Sequence, residues 1–231
     1  MNGETDRNRP DGPGAAAAES AGTDRLLRGV RWLGHASFLI EGERRVWIDP
    51  WRIGPGPHPP ADIVLLTHPH PDHCSPSDLE RVPGIAEATI VAVRDAARKT
   101  GRTCRTIAPG EKTGACGVAI TAVPAYNIDK PYHPRGAGWA GFLIETGGRV
   151  FYHAGDTDRI PEMRAVRCDV ALLPVGGTYV MTAEEAAWAA EEIRPGVAVP
   201  MHWGSLGAGR EEAVRFANLA PVPVRVLEPA P

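Results

Sequence analysis

Apolar residues along this chain gather in short runs rich in valine, isoleucine and leucine, each closed by glycine, proline or charge. Runs of this kind predict buried β-strands. Residues 29–33, 37–41 and 45–48 read as an antiparallel meander, with Gly42-Glu43 at one turn. Strands are expected next at 62–66, 89–93, 104–107 and 117–123, then a hairpin of 138–146 and 149–153 around Gly147-Gly148. Further strands follow at 168–174, 197–201 and 222–227. Helix signals fall between them. Ser75 is placed as an N-cap with Pro76 in the first helical position, and a short helix over 95–100 is closed by Gly101. Thr182 and Glu185 have capping-box spacing ahead of a helix to about residue 193, and a last helix covers 210–219.

Two stretches lack this patterning. Residues 1–24 are mostly Gly, Ala, Pro, Asp and Arg, which cannot repay the entropy of ordering, so a disordered leader is expected ahead of one folded domain over 25–231. The run Ala15 to Ala18 within it suits at most a nascent helical turn. Residues 124–136 are too polar and proline-rich for a regular element, and a loop of that length in a compact domain is often functional. Lys130, His133 and Arg135 make it either an anion site or a solvated surface loop.

Composition narrows the function classes. With 231 residues and 43% hydrophobic content the chain can fill one sizeable core. A formal net charge of -3 gives no field suited to nucleic acid or a membrane surface. The four cysteines form no C-x-x-C pair, so neither a disulfide framework nor a zinc ribbon is indicated, and a cytoplasmic setting is expected. No apolar stretch long enough to span a bilayer and no signal-peptide pattern stands in the sequence, so no membrane insertion is expected.

The chemistry concentrates in Thr67-His68-Pro69-His70-Pro71-Asp72-His73, directly after the apolar run 62–66. Alternate residues of an extended segment point to one side, so His68, His70 and Asp72 converge while the prolines hold the backbone extended. His73 follows as the chain turns. Imidazole nitrogen and carboxylate oxygen suit a borderline divalent metal, zinc first, with manganese or iron accepting the same donors. Other expected strand ends carry Asp49, Asp156 and His202, so chemically capable residues arrive repeatedly at the same kind of position.

An H-x-H-x-D-H after a strand resembles the signature of the metallo-β-lactamase superfamily, and the likeness runs from about Val30 to Leu227. A narrower similarity is to the hydrolases grouped with ascorbate-phosphate lactonase and N-acyl phosphatidylethanolamine phospholipase D. It rests on Gly34-His35-Ala36-Ser37-Phe38, Ile48-Asp49-Pro50, Tyr152-His153-Ala154-Gly155-Asp156-Thr157 and Pro200-Met201-His202. The resemblance implies an α/β fold, an αββα sandwich of two mixed β-sheets flanked by helices with the site at one edge.

It also implies two divalent ions and hydrolysis by a metal-activated hydroxide, cleaving an ester, lactone or phosphodiester of a small, anionic substrate. His68, His70 and His202 would surround one ion, and Asp72, His73 and the bridging Asp156 the other. Asp72 would also shuttle the proton, and Asp72 and Asp156 are the expected catalytic pair. Asp49 would orient a ligand histidine, unless Asp49-Pro50 is only a turn initiator. His35 and His153 read either as supports of this kind or as packed core histidines. Asn127, Lys130, Arg135 and Tyr179 are candidates for substrate contact, and Trp51, Trp139 and Trp203 for an apolar wall.

One departure stands out. Phospholipase-like relatives carry a metal histidine shortly after a Pro-Ala, whereas Pro124-Ala125 here is followed by Tyr126-Asn127. His133 is the natural replacement ligand, and the extended chain between the two positions is long enough to bring it back. Alternatives of other classes are an iron-dependent oxidoreductase on the same scaffold and a sensing protein whose metal site has lost catalysis.

Overall fold

The computed structural model describes residues 13–231, with side chains from Ser20 onward. It opens with helix α1 (Pro13–Leu26), where disorder was expected; residues 1–12 of that leader lie outside the described residues. Alanine has the highest helix propensity, and the helix end is fastened. Arg149 Nη1 donates to the carbonyl of Leu26 at 2.7 Å, and Arg225 Nη2 to Asp24 Oδ1 at 3.1 Å.

The meander follows as β1 (Val30–Gly34), β2 (Ser37–Glu41) and β3 (Arg45–Ile48), paired antiparallel. Then β4 (Ile63–Leu66), β5 (Thr89–Ala92) and β6 (Arg105–Thr106) add parallel to β3. Between these come α2 (Pro76–Leu79), with the Ser75 hydroxyl accepting from Asp78 N, and α3 (Arg94–Thr100), closed by Gly101 in the left-handed region. The second sheet repeats the plan. β7 (Lys112–Ala115), β8 (Val118–Pro124), β9 (Ala140–Thr146) and β10 (Arg149–His153) run antiparallel, and β11 (Val170–Pro174) and β12 (Val197–Met201) add parallel to β10. Helix α4 (Ala183–Ile193) has both bonds of the Thr182–Glu185 capping box, and α5 (Arg210–Leu219) packs on α4 and β12.

Each sheet has six strands, ordered β1 to β6 and β12 to β7. Both mix hairpins with parallel crossovers, and helices cover them: an α/β sandwich of two mixed sheets flanked by helices. Phe38, Trp47, Phe142 and Phe151 are fully buried in its core. The inner parallel strands β4 and β11 read Ile-Val-Leu-Leu and Val-Ala-Leu-Leu-Pro with every residue buried, as strands covered on both faces do.

Two expectations need correction. The segment 222–227 is not a strand; Val224 makes one isolated parallel bridge to Ala198, because Pro221 and Pro223 lack the donors a ladder needs. Conversely β7 carried no apolar signal, since Lys-Thr-Gly-Ala is a largely exposed edge strand.

For the site, the parallel strands matter most. β3 and β4 run together, as do β10, β11 and β12, so Asp49, His68, Asp156 and His202 all leave strand C-termini. Ala140 N donates to the Thr67 carbonyl at 3.3 Å and ties the two sheets at this edge.

Candidate metal centre

Asp156 sits at the middle of the cluster. Its Oδ2 lies 3.1 Å from His202 Nε2, 3.3 Å from His133 Nε2 and 3.9 Å from His68 Nε2, and its Oδ1 lies 3.2 Å from His73 Nε2. Gly155 precedes it at φ 65°, and a side chain there would press on the Ala140 carbonyl at 3.2 Å, so glycine suits the turn that brings the carboxylate in.

The ligand-type atoms form two groups. Those of His68, His70 and His133 lie within 4.8 Å of one another, and so do those of His35, Asp72, His73 and His202. The spatial grouping differs from the expected partition: the ligand-type atom of His133 lies with those of His68 and His70, and that of His202 with those of His35, Asp72 and His73. The reason is topological. β12 ends beside the β1–β2 turn, where His202 N donates to the His35 carbonyl at 2.9 Å.

Supporting hydrogen bonds fix which nitrogen each ring presents. Asp49 accepts from Thr67 N at 2.8 Å, from Thr67 Oγ1 at 2.5 Å and from His73 Nδ1 at 2.8 Å. Thr67 Oγ1, having given its proton to Asp49, accepts from His68 Nδ1 at 2.9 Å. Asn127 Oδ1 accepts from His133 Nδ1 at 3.2 Å and from His133 N at 3.0 Å. With Nδ1 satisfied in all three rings, Nε2 is the nitrogen that each turns toward Asp156. His68 and Asp49 also group with His73 within 4.8 Å, and here both Asp49 oxygens are taken up by these donors.

The Nε2 atoms of His68, His73 and His133 and Oδ1 of Asp156 are buried without hydrogen-bond partners. Orphaned buried polar atoms are rare and costly, and four converging on one volume fit a bound cation. Electrostatics point the same way. Burial lowers the His68 pKa, reinforced by His73, and burial with His133 lowers that of His70, so both rings are neutral donors. Burial opposes ionisation of Asp156, yet His202, His73 and His133 hold it well below the ordinary carboxylate range. Burial likewise opposes charge on His73, but Asp156 and Asp49 raise it well above the ordinary histidine value. That proton occupies a place a cation would take, because ligands must bind deprotonated.

His35 engages both ring nitrogens, Nε2 with Asp72 Oδ2 at 3.0 Å and Nδ1 with Ser205 Oγ at 2.8 Å. Burial lowers its pKa to about 4. His153 does not reach the ligand atoms; its Nε2 donates to the Ala36 carbonyl at 2.8 Å and its Nδ1 accepts from Gly155 N at 3.2 Å, which ties the His35 turn to the Asp156 turn.

In the 124–136 loop, read from the sequence as either an anion site or a solvated surface loop, both cations lie beside carboxylates. Lys130 Nζ lies 2.5 Å from Asp158 Oδ1, and Arg135 Nη2 lies 3.0 Å from Glu162. Tyr179 packs its ring on Tyr132, and Asn127 turns to His133, Asp158 and the Tyr179 carbonyl. Lys130 is paired in a half-buried position, Arg135 makes only a surface pair, and Asn127 supports a ring. Thr67, Asp158 and Ser205 were missed. Only Thr67 carried a signal, its place immediately before His68. Trp139 stands 4.8 Å from the His70 ring and 5.3 Å from the His68 ring, walling one side.

Comparison with known proteins agrees with this geometry. Residues 29–202 match the family model described as the beta-lactamase superfamily domain. The chain is 35% identical to a UPF0173 metal-dependent hydrolase of Pyrococcus abyssi, over 79% of this chain and 89% of that one. Among solved structures, Igni18, a metallo hydrolase of Ignicoccus hospitalis, is 28% identical with a TM-score of 0.69, covering 87% of this chain and 95% of that one. A Parabacteroides distasonis protein reaches a TM-score of 0.77 at 29% identity, covering 85% and 91%. With a family model spanning most of its length and relatives at this identity, the chain belongs to the metallo-β-lactamase superfamily, among its metal-dependent hydrolases.

Proposed function

We propose that this protein is a dinuclear hydrolase, most readily zinc-loaded, that cleaves an ester, lactone or phosphodiester bond in a small anionic substrate. The observation that carries the reading is the convergence of three orphaned imidazole nitrogens on Asp156, whose own Oδ1 is also orphaned, flanked by two ligand groups. His68, His70 and His133 would hold one ion, Asp72, His73 and His202 the other, and Asp156 would serve both. Manganese or iron suits the same nitrogen and oxygen donors. Bound ions would supply Lewis-acid polarisation of the scissile group and a water acidified toward neutral pH.

The chain's own residues do the rest. Asp49, Thr67 and Asn127 keep the imidazoles in the donating tautomer. Asp72 is half-buried, and although burial opposes its ionisation, the His35 hydrogen bond and His73 keep its pKa low. It therefore stays an ionised carboxylate beside the reacting groups, able to hold an ion or hydrogen-bond the attacking water, and a proton passed from that water to the leaving group would rest on it only in transit. Four free thiols support a reducing, cytoplasmic setting for a single domain over 25–231, and no helix of the described residues is long and apolar enough to cross a membrane. The anionic substrate rests on the likeness to the lactonase and phospholipase group. The named hydrolases among the relatives favour hydrolysis over the iron-redox alternative.

Elemental analysis of purified protein, with turnover of a panel of esters, lactones and phosphodiesters, tests the reading. Close to two transition-metal equivalents and chelator-sensitive hydrolysis are expected. No metal after supplemented expression, or activity indifferent to chelators, would sink it.

A further inference from the structure

Beside the second ligand group the surface opens into a recess of about 180 Å³. Trp32 and Trp203 form its inner wall with ring centroids 4.4 Å apart, and Leu33 and Trp51 add apolar surface. Both inner indoles have their N–H groups occupied, Trp32 by the His35 carbonyl at 2.9 Å and Trp203 by the Pro200 carbonyl at 3.1 Å, so they offer the recess only ring surface. The space is open: a Cβ built on Gly34 or Gly204, both lining residues, would meet nothing within 4 Å.

The recess adjoins the reacting region through His35, which lines it and lies 3.0 Å from Asp72 and, ring to ring, 3.9 Å from His202. Trp51 stands 5.0 Å from the same ring. At the rim Arg52 is exposed, its guanidinium 4.3 Å over the Trp51 ring, and it has no carboxylate partner among the described residues. A closed apolar cavity of about 150 Å³ accommodates benzene, so an open recess of about 180 Å³ has room for one ring-sized group.

We infer that the recess is a substrate subsite, taking a compact aryl or branched-alkyl group of an ester whose anionic end pairs with Arg52. The inference rests on the hydrolase reading above and names its substrate class. It also replaces the 124–136 loop as the source of anion recognition: Lys130 and Arg135 are paired, and Arg52 is not.

Zinc-loaded protein is assayed with monomethyl succinate, monobenzyl succinate and benzyl acetate. In parallel its tryptophan indole N–H resonances, with those of Trp32 and Trp203 assigned through single Trp→Phe variants, are followed by NMR as benzoate or acetate is added. Expected are a kcat/KM for monobenzyl succinate about tenfold or more above that for the methyl ester, and movement of the Trp32 and Trp203 resonances by benzoate but not acetate. Arg52→Glu, at an exposed position, should lower kcat/KM for the carboxylated benzyl ester about tenfold more than for benzyl acetate. Turnover of both succinate esters at equal rates with unmoved indole resonances would overturn the subsite and leave the hydrolase reading standing. Absent turnover of every ester, with benzoate still moving the two resonances, would support the recess as an aryl site and count against hydrolysis.

Discussion

His202 donates its backbone N–H to the carbonyl of His35 at 2.9 Å, and both residues stand in the left-handed region, at φ 61° and 52°. Asp49 shares that conformation at φ 44°. Such backbone costs roughly 1–2 kcal/mol for a non-glycine residue, so three cases around one cluster mark where packing and hydrogen bonding over-determine the chain. The bond joins the first sheet's β1–β2 turn to the end of β12 in the second, and the His35 and His202 rings meet at 3.9 Å.

His35→Asn separates backbone from ring chemistry. Asparagine tolerates left-handed backbone, so the melting temperature should stay near wild type, while the donor to Asp72 is lost. Removing such a support costs roughly 10–100-fold in metal affinity, which competitive chelator titration would read. An unchanged affinity would make His35 a packing residue only.

Asp156→Ala removes the one carboxylate among the described residues that touches histidines from both ligand groups. Hydrolysis should fall at least about a hundredfold and bound metal should drop, with the circular dichroism spectrum retained because the residue lies in a turn past β10. A variant keeping more than a few per cent of turnover would show that another group joins the two halves.

Asn127→Ala takes both acceptor contacts from His133 and leaves the ring free to turn. The ion held by His68, His70 and His133 should weaken about tenfold or more, whereas His133→Ala should lose it outright. Lys130→Ala, which frees Asp158 rather than any substrate, should leave KM within about twofold. A large rise in KM for that variant would restore the loop as a substrate contact and contradict its pairing here.

How far the sequence disclosed this site follows from how local each feature is. His68, His70, Asp72 and His73 lie in one extended stretch, so their convergence is set by strand periodicity alone, and Asp156 and His202 were legible as polar residues closing apolar runs. Assignment of His202 and His133 to their groups was not legible, because it depends on which strand ends become neighbours across two sheets. The Lys130–Asp158 and Arg135–Glu162 pairs each join residues far apart in sequence, so the loop's charge could be counted but its neutralisation could not. β7 escaped for the opposite reason: an exposed edge strand has no buried face to impose a pattern.

The thiols give a prediction independent of metal. Burial pushes the Cys74 thiol up to about 11 and the Cys168 thiol up to about 12, while Cys116 is exposed. At pH 8 only about one Cys74 in a thousand and one Cys168 in ten thousand is thiolate, the reactive form. Cys116, more exposed than Cys104, should therefore react first with a thiol reagent, and Cys116→Ser should remove that fastest phase. The same shifts act on stability. In the unfolded chain these thiols return toward their ordinary value of 9.0, so the unfolded form gives up its protons first as pH rises. Their contribution is full below about pH 9 and is lost progressively as pH climbs through about 11 and then about 12. Urea unfolding at pH 8 and pH 10.5 should show a lower midpoint at the higher pH, with the drop reduced in Cys168→Ala. An equal drop in that variant would mean that other groups, not the Cys168 thiol, set the alkaline limit.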